Sequence, residues 1–387
     1  MSITPHKNHK RLYAFDSLRA SMMLLGVVFH VALYYMDTPI FWPKDPINTT
    51  IVADMMVVFS HSFRMPVFFI ISGFFSCMLF LREGAVGFLK SRLKRIGIPL
   101  TVGLIVFTPL TAIGFIFANY TTGVIFKDIV PSFSFAEFLI PSDWLHLWFL
   151  YYLLYFYLVM FFLTWLYRSL NASIKKILEK YFKSFISYAF LRVSVLSMLS
   201  MLTLLPMGGE IYTVSGFVFD VQLIKIALFY FVFFSFGWTL FSCHDLLPNF
   251  TKFFGVQVIL GFIVGSAILP IIHIAFLETS TKPIAVLLKS LATGLTAWLM
   301  FFGLVGTFLY YFNKPSAKVK YIADASYWVY LFHLPFAYLF PGLLKEVDLS
   351  VWIKIPVSIL ATIIVCFFSY HFFVRGSFIG RILNGRY

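Results

Sequence analysis

The chain has 387 residues, is 60% hydrophobic and only 12% charged, about half the charged share of a soluble domain. This composition excludes a water-soluble globular protein and implies an integral membrane protein. The net charge of +14 is not a nucleic-acid footprint, because the cations lie in short segments between apolar stretches, where membrane topology accounts for them.

Apolar segments follow one another at 18–36, 55–81, 98–118, 145–167, 190–206, 222–242, 253–276, 291–312, 322–341 and 352–374. Each suits a hydrocarbon core of about 30 Å, with 190–206 the shortest. The first follows a basic tail, but it is too long for a signal-peptide core and lacks a small-residue cleavage site. It is therefore read as a retained helix. The expected fold is all-α: a polytopic integral membrane helical bundle of about ten transmembrane helices. One membrane domain is expected over 1–387, with tails at 1–17 and 375–387 and a basic amphipathic surface helix at 168–189. With the N-terminus inside, the inner segments carry 22 of the 30 Lys and Arg residues, among them Lys7, Lys10, Arg11, Arg82, Lys175 and Arg386. Only Asp16, Glu83, Glu179, Asp245 and Asp324 accompany them, so both termini are expected in the cytoplasm. No repeat and no matched pair of broken helices points to an inverted-repeat transporter. Cys77, Cys243 and Cys366 have no metal-like spacing and are expected to be packing residues.

Three ionisable side chains fall deep in these segments, where they are costly and rarely lack a role. His30 comes eleven positions after Arg19. Eleven helical steps are about three turns, so the two share a face and stand about 16 Å apart along the axis. A cation at one membrane surface is thus in line with an imidazole near the middle of the bilayer. Counting from segment ends places Arg64 and His333 about 15–16 Å deep as well, and all three are expected to face one cavity. Structural readings stand beside the functional one: a midplane histidine can bond a backbone carbonyl, and Arg64 can clamp several. His61 shares Arg64's face at i, i+3 spacing; it binds an outer substrate or is simply interfacial. His146 lies near the outer interface. His273 and His371 are interfacial and are assigned no role.

In the stretch Arg92-Leu93-Lys94-Arg95-Ile96-Gly97-Ile98-Pro99, Arg92 and Arg95 stand one turn apart at the inner surface. They either orient the helix or clamp a polyphosphate with paired donors. With Arg19, they suit a CoA thioester: phosphates at the surface, the arm threading inward, the thioester near the imidazole. In the outer loops 37–54 and 119–144, Trp42, Trp144 and Tyr120 either stack on sugar rings or form an interfacial belt.

Five blocks in order now carry a resemblance. They are Phe15-Asp16-Ser17-Leu18-Arg19-Ala20 with Phe29-His30; His61-Ser62-Phe63-Arg64-Met65 running into Ser72-Gly73-Phe74-Phe75; Arg92 to Pro99; His146-Leu147-Trp148-Phe149-Leu150; and Ala325-Ser326-Tyr327-Trp328-Val329-Tyr330-Leu331-Phe332-His333-Leu334-Pro335. Together they resemble the membrane acyltransferase-3 family, and within it the group that succinylates osmoregulated periplasmic glucans. The chain departs from that group at Leu334, where a second histidine is common, and at Ala32, where serine is. The stretch 168–300 offers little match.

The resemblance implies an acyl-CoA donor (succinyl-CoA or acetyl-CoA) and a carbohydrate acceptor, with no metal and no nucleic acid. It implies a catalytic role for His30 and a functional one for Arg19, assisted by Arg92 and Arg95. The expected reaction is O-acylation of a periplasmic or cell-envelope carbohydrate by an enzyme of the bacterial inner membrane. His30 would be general base with neutral imidazole as the working form. Arg64 would stabilise the oxyanion or pair with a succinyl carboxylate, and His333 would orient or assist. His61, Arg64, His146 and Trp148 are candidates for the acceptor site. A secondary transporter of a small anion or glycan intermediate is the rival reading, and a non-catalytic scaffold the third.

Overall fold

A computed structural model describes residues 12–38, 40, 42–120, 144–209, 221–275 and 282–384. Lys7, Lys10, Arg11, Arg386, the Tyr120 side chain and most of loop 119–144 lie outside the described residues. Among those described there are helices and turns but no strand. The helices are α1 (Tyr13–Ala32), α2 (Ile51–Arg92), α3 (Ile98–Tyr120), α4 (Trp148–Ser169), α5 (Ala172–Ser187), α6 (Ala189–Leu204) and α7 (Val221–Phe241). There follow α8 (Phe254–Ile263), α9 (Leu269–Ala275), α10 (Pro283–Tyr311), α11 (Ala317–Phe332), α12 (Leu334–Leu344), α13 (Val351–Ser369) and α14 (Phe378–Asn384). The chain is an all-α polytopic membrane bundle.

Eight helical runs among the described residues are long and apolar enough to cross a membrane, and the bent pair α11–α12 makes a ninth. One of the eight, Ile51–Asn119, has 69 residues, more than three times what a bilayer needs. It breaks at Gly84, whose φ of 72° lies where a side chain is strained. Both ends of this run meet the same face of the bundle. Thr50 N donates to Tyr35 O at the end of α1, and Ala118 packs under Gly342 of α12. The run is therefore long enough for two crossings, and the helices among the described residues coincide with the ten apolar segments of the sequence.

The two faces differ in charge. Arg82, Arg92, Arg95 and Arg168 mark one, called here the basic face, where α1 begins and Ala14 N donates to Asn313. The surface segment expected at 168–189 is α5, capped by Asn171, whose side chain accepts from Ile174 N at 2.9 Å. Its Ile177, Leu178 and Tyr181 are exposed.

In lipid, helices associate through close packing rather than water exclusion, and glycines set the distance here. A Cβ on Gly73 of α2 would run into the carbonyl oxygen of Phe234 on α7, and one on Gly237 into that of Ile70. Around this contact the core is aromatic, with Phe69, Phe74, Phe156, Tyr230, Phe233 and Trp298 buried. Cys77, Cys243 and Cys366 are buried and unbonded to one another, as packing residues would be.

One expected helix differs. Segment 322–341 is not straight: α11 and α12 meet at 71° across His333. Pro335 is the cause. It has no N–H, and its ring disfavours a helical residue before it.

Candidate active site

The bend frees the Leu331 carbonyl, which His146 takes up, while His333 bonds carbonyls of the turn before it. An amide at position 335 would donate to the carbonyl of Leu331, four residues back. Proline cannot, and His146 Nε2 lies 3.2 Å from that oxygen instead. His333 Nδ1 lies 3.0 Å from Val329 O and 2.9 Å from Tyr330 O. A carbonyl only accepts, so the hydrogen sits on Nε2 of His146 and on Nδ1 of His333. In the neutral rings the opposite nitrogens, Nδ1 of His146 and Nε2 of His333, carry bare lone pairs. Both are buried with no partner among the described residues, as is Nδ1 of His30.

These three imidazoles form one cluster. Ring centres are 5.1 Å apart for His30 and His333, 5.2 Å for His146 and His333, and 6.4 Å for His30 and His146. They come from α1, the turn before α4, and the hinge between α11 and α12. Leu145, beside His146, sits at φ 47°, a left-handed conformation that costs a leucine about 1–2 kcal/mol. The Tyr330 hydroxyl donates to the carbonyl of His146 at 2.7 Å and fixes that strained turn. Strain of this kind clusters at functional sites.

Arg64 stands beside the cluster, over the Phe29 ring, whose centre is 5.0 Å from that of His30. It is 7% exposed. Its guanidinium carbon is 4.5 Å from the centre of the Phe29 ring, within cation–π range, and its Nε has no partner among the described residues. Gly26 makes room for it, since a Cβ there would lie 2.7 Å from Nη1. His61 stacks on the Phe29 ring, ring centres 5.4 Å apart at 19°. Trp42 stacks on His30 at 5.6 Å and on Tyr338 at 4.5 Å. It therefore stands against the histidine cluster. Trp144 stacks on Tyr151 at 4.3 Å.

The structure does not bring every candidate into the cluster. Trp148 points into the aromatic core, 5.2 Å from Tyr230 and 6.3 Å from Phe69. Arg19 lies toward the basic face, 3.8 Å from Asp16 and 37% exposed. Arg92 and Arg95 lie at a π-helical turn, Leu93–Gly97, between α2 and α3, a feature frequent at functional sites. Arg92 leans toward Phe88 and Tyr157 at 5.8 and 6.0 Å, and its Nε is buried without a partner among the described residues. Tyr327 donates to Arg95 O at 3.0 Å. Tyr327 and Tyr330 on α11 and His333 just beyond its end recur every three residues and lie along one side. That stripe connects the arginine turn with the histidines.

Gly26, Tyr327, Tyr330 and Pro335 stand inside the matching blocks or beside them, yet residue chemistry alone did not single them out. Pro335 was the available signal, because a proline inside an apolar span frees a predictable carbonyl. No group of three or more His, Cys, Asp or Glu residues among those described has metal-holding geometry.

The site is thus a set of buried histidines and a buried arginine inside a helical membrane bundle, with further arginines toward one face. The chain belongs to the acyltransferase-3 family: residues 12–371 match it as an acyltransferase domain. Glucans biosynthesis protein C of Escherichia coli strain SMS-3-5 is 26% identical over 384 residues, which is 97% of this chain and 95% of that protein. The proteins of that name from strain K12 and from O157:H7 show the same identity and coverage. No solved structure matches the chain. The protein is a membrane acyltransferase.

Proposed function

We propose that the protein transfers an acyl group from a CoA thioester, bound at the basic face, to a hydroxyl of a cell-envelope carbohydrate reaching the histidines from the opposite face. The observation that carries this reading is the α11 stripe, which joins the arginine turn to three imidazoles with bare nitrogens. Relatives named for glucans biosynthesis make a glucan the first acceptor to try. The basic face would be cytoplasmic, in keeping with the positive-inside bias, and the membrane would be a bacterial inner membrane.

In this reading Arg19, Arg92 and Arg95 hold the CoA phosphates with charge-assisted hydrogen bonds. The acceptor hydroxyl oxygen attacks the thioester carbonyl while its proton passes to an imidazole nitrogen of His30. The carbon–sulfur bond breaks, and the CoA sulfur leaves and takes up a proton. His333 and His146, their tautomers set by the hinge carbonyls, orient the hydroxyl and His30. The Arg64 guanidinium stabilises the oxyanion, or pairs with the far carboxylate when the acyl group is succinyl. His61 lines the acceptor side.

The test is mass spectrometry of envelope glycans from cells with and without the protein. Succinyl transfer adds about 100 mass units and acetyl about 42. His30→Ala at normal protein levels should abolish the gain, and wild-type modification in that variant removes His30 from the mechanism. Arg92→Gln with Arg95→Gln should weaken acyl-CoA binding by about tenfold or more. Unchanged binding by the folded variant refutes the phosphate clamp.

A further inference from the structure

The chain between α1 and α2 holds a second unusual polar feature, separate from the histidines. Asp45 and Lys354 form an ion pair at 3.0 Å with both side chains 0% exposed. They are 309 positions apart in sequence. Lys354 Nζ also donates to Lys345 O at 3.1 Å. The other carboxylate oxygen of Asp45 accepts from Ile47 N and Asn48 N at 3.0 and 2.8 Å. Charge and hydrogen-bond capacity are thus largely met within the pair and its surroundings.

The same chain segment is tied down at both ends. Asp54 of α2 accepts from Asp37 N at 2.7 Å and Thr38 N at 3.1 Å. Asp45 N donates to Tyr34 O, and Thr50 N to Tyr35 O, both at 2.9 Å. Between these ties stands Trp42, three residues before Asp45. It stacks on His30 with ring centres 5.6 Å apart, and its Nε1 is buried with no partner among the described residues.

A buried ion pair is weak grounds for stability, because desolvation offsets most of the attraction. Its better-attested use is to specify one arrangement among several. We propose that Asp45 and Lys354 are positioning residues: they lock the α1–α2 connection to α13 and so hold the Trp42 indole on His30. This sets the orientation of the imidazole and keeps water from it. The inference rests on acyl transfer at His30, but its first test does not require that activity.

That test is carbethoxylation of His30 by diethylpyrocarbonate, followed by peptide mass spectrometry on the full-length protein in nanodiscs. Modification of His244, remote from the site, is the internal standard. Asp45→Asn, Lys354→Met and Trp42→Ala should each raise the His30 rate about fivefold or more, as expected when a loop tie is lost. The double variant Asp45→Asn/Lys354→Met removes the uncompensated charge that either single change leaves behind. A purely structural pair predicts that the double variant regains wild-type protection and turnover. A positioning pair predicts that it stays exposed, with kcat about tenfold lower, KM for the acyl donor unchanged, and more donor lost to water per acceptor modified. Wild-type His30 protection in the folded double variant overturns the proposal. If wild-type protein transfers no acyl group yet the modification rates change as stated, the proposed reaction fails while the positioning by Asp45 and Lys354 stands.

Discussion

Replacing Gly26 with alanine separates site geometry from stability. A Cβ at this position would lie 2.7 Å from Nη1 of Arg64, whereas ordinary contact begins at 3.4 Å. The obstacle is the end of a flexible side chain, so the helix survives and the guanidinium retreats, by about 0.7 Å on that difference. Helix propensity acts in the other direction, alanine being favoured over glycine by about 1 kcal/mol. The variant should therefore be at least as stable as the wild type. Its chemistry should suffer, because a misplacement of about 1 Å can cost a hundredfold in rate. A fall of about ten- to a hundredfold, or about 1.4–2.7 kcal/mol of transition-state stabilisation, is expected. The assay is acyl transfer in membranes with matched protein levels, alongside thermal unfolding. Arg64→Lys, which keeps the charge but loses the planar fork, should fall by a similar factor. If Gly26→Ala turns over at the wild-type rate, the exact seat of Arg64 is irrelevant and its proposed role is wrong.

Pro335→Ala restores an amide that competes with His146 for the carbonyl of Leu331. One hydrogen bond is worth about 0.5–1.5 kcal/mol, so turnover should fall about two- to tenfold. In a His146→Ala background the same change should add nothing, and additive losses would show that the two residues do not act through that carbonyl. Gly73→Leu forces a side chain against the Phe234 backbone, which cannot step aside. It should destabilise the bundle by about 3 kcal/mol, the upper end for overpacking, read as a lower unfolding temperature in detergent. Gly255→Ala, with open space around it, is the control, and equal melting of the two variants would refute the close α2–α7 contact.

The sequence by itself determined the helical membrane bundle, since only helices satisfy every backbone group within so many apolar spans. Hydrophobic run length is a local quantity, and it marked the apolar helices among the described residues, including the two within the run that turns at Gly84. Depth counting along single helices was also enough to put His30, Arg64 and His333 at one level. It could not say that they touch, because rotation of one helix against another depends on packing. Tertiary structure decided the rest. It bent the ninth span at His333, and so turned a proline's missing hydrogen bond into the acceptor for His146. It placed Trp42 on His30, where the sequence favoured an interfacial belt over sugar stacking, and sent Trp148 into the core. It paired Asp45 with Lys354, residues 309 apart. No periodicity carries such a contact: it exists only once α1, its connection to α2, and α13 have been brought together.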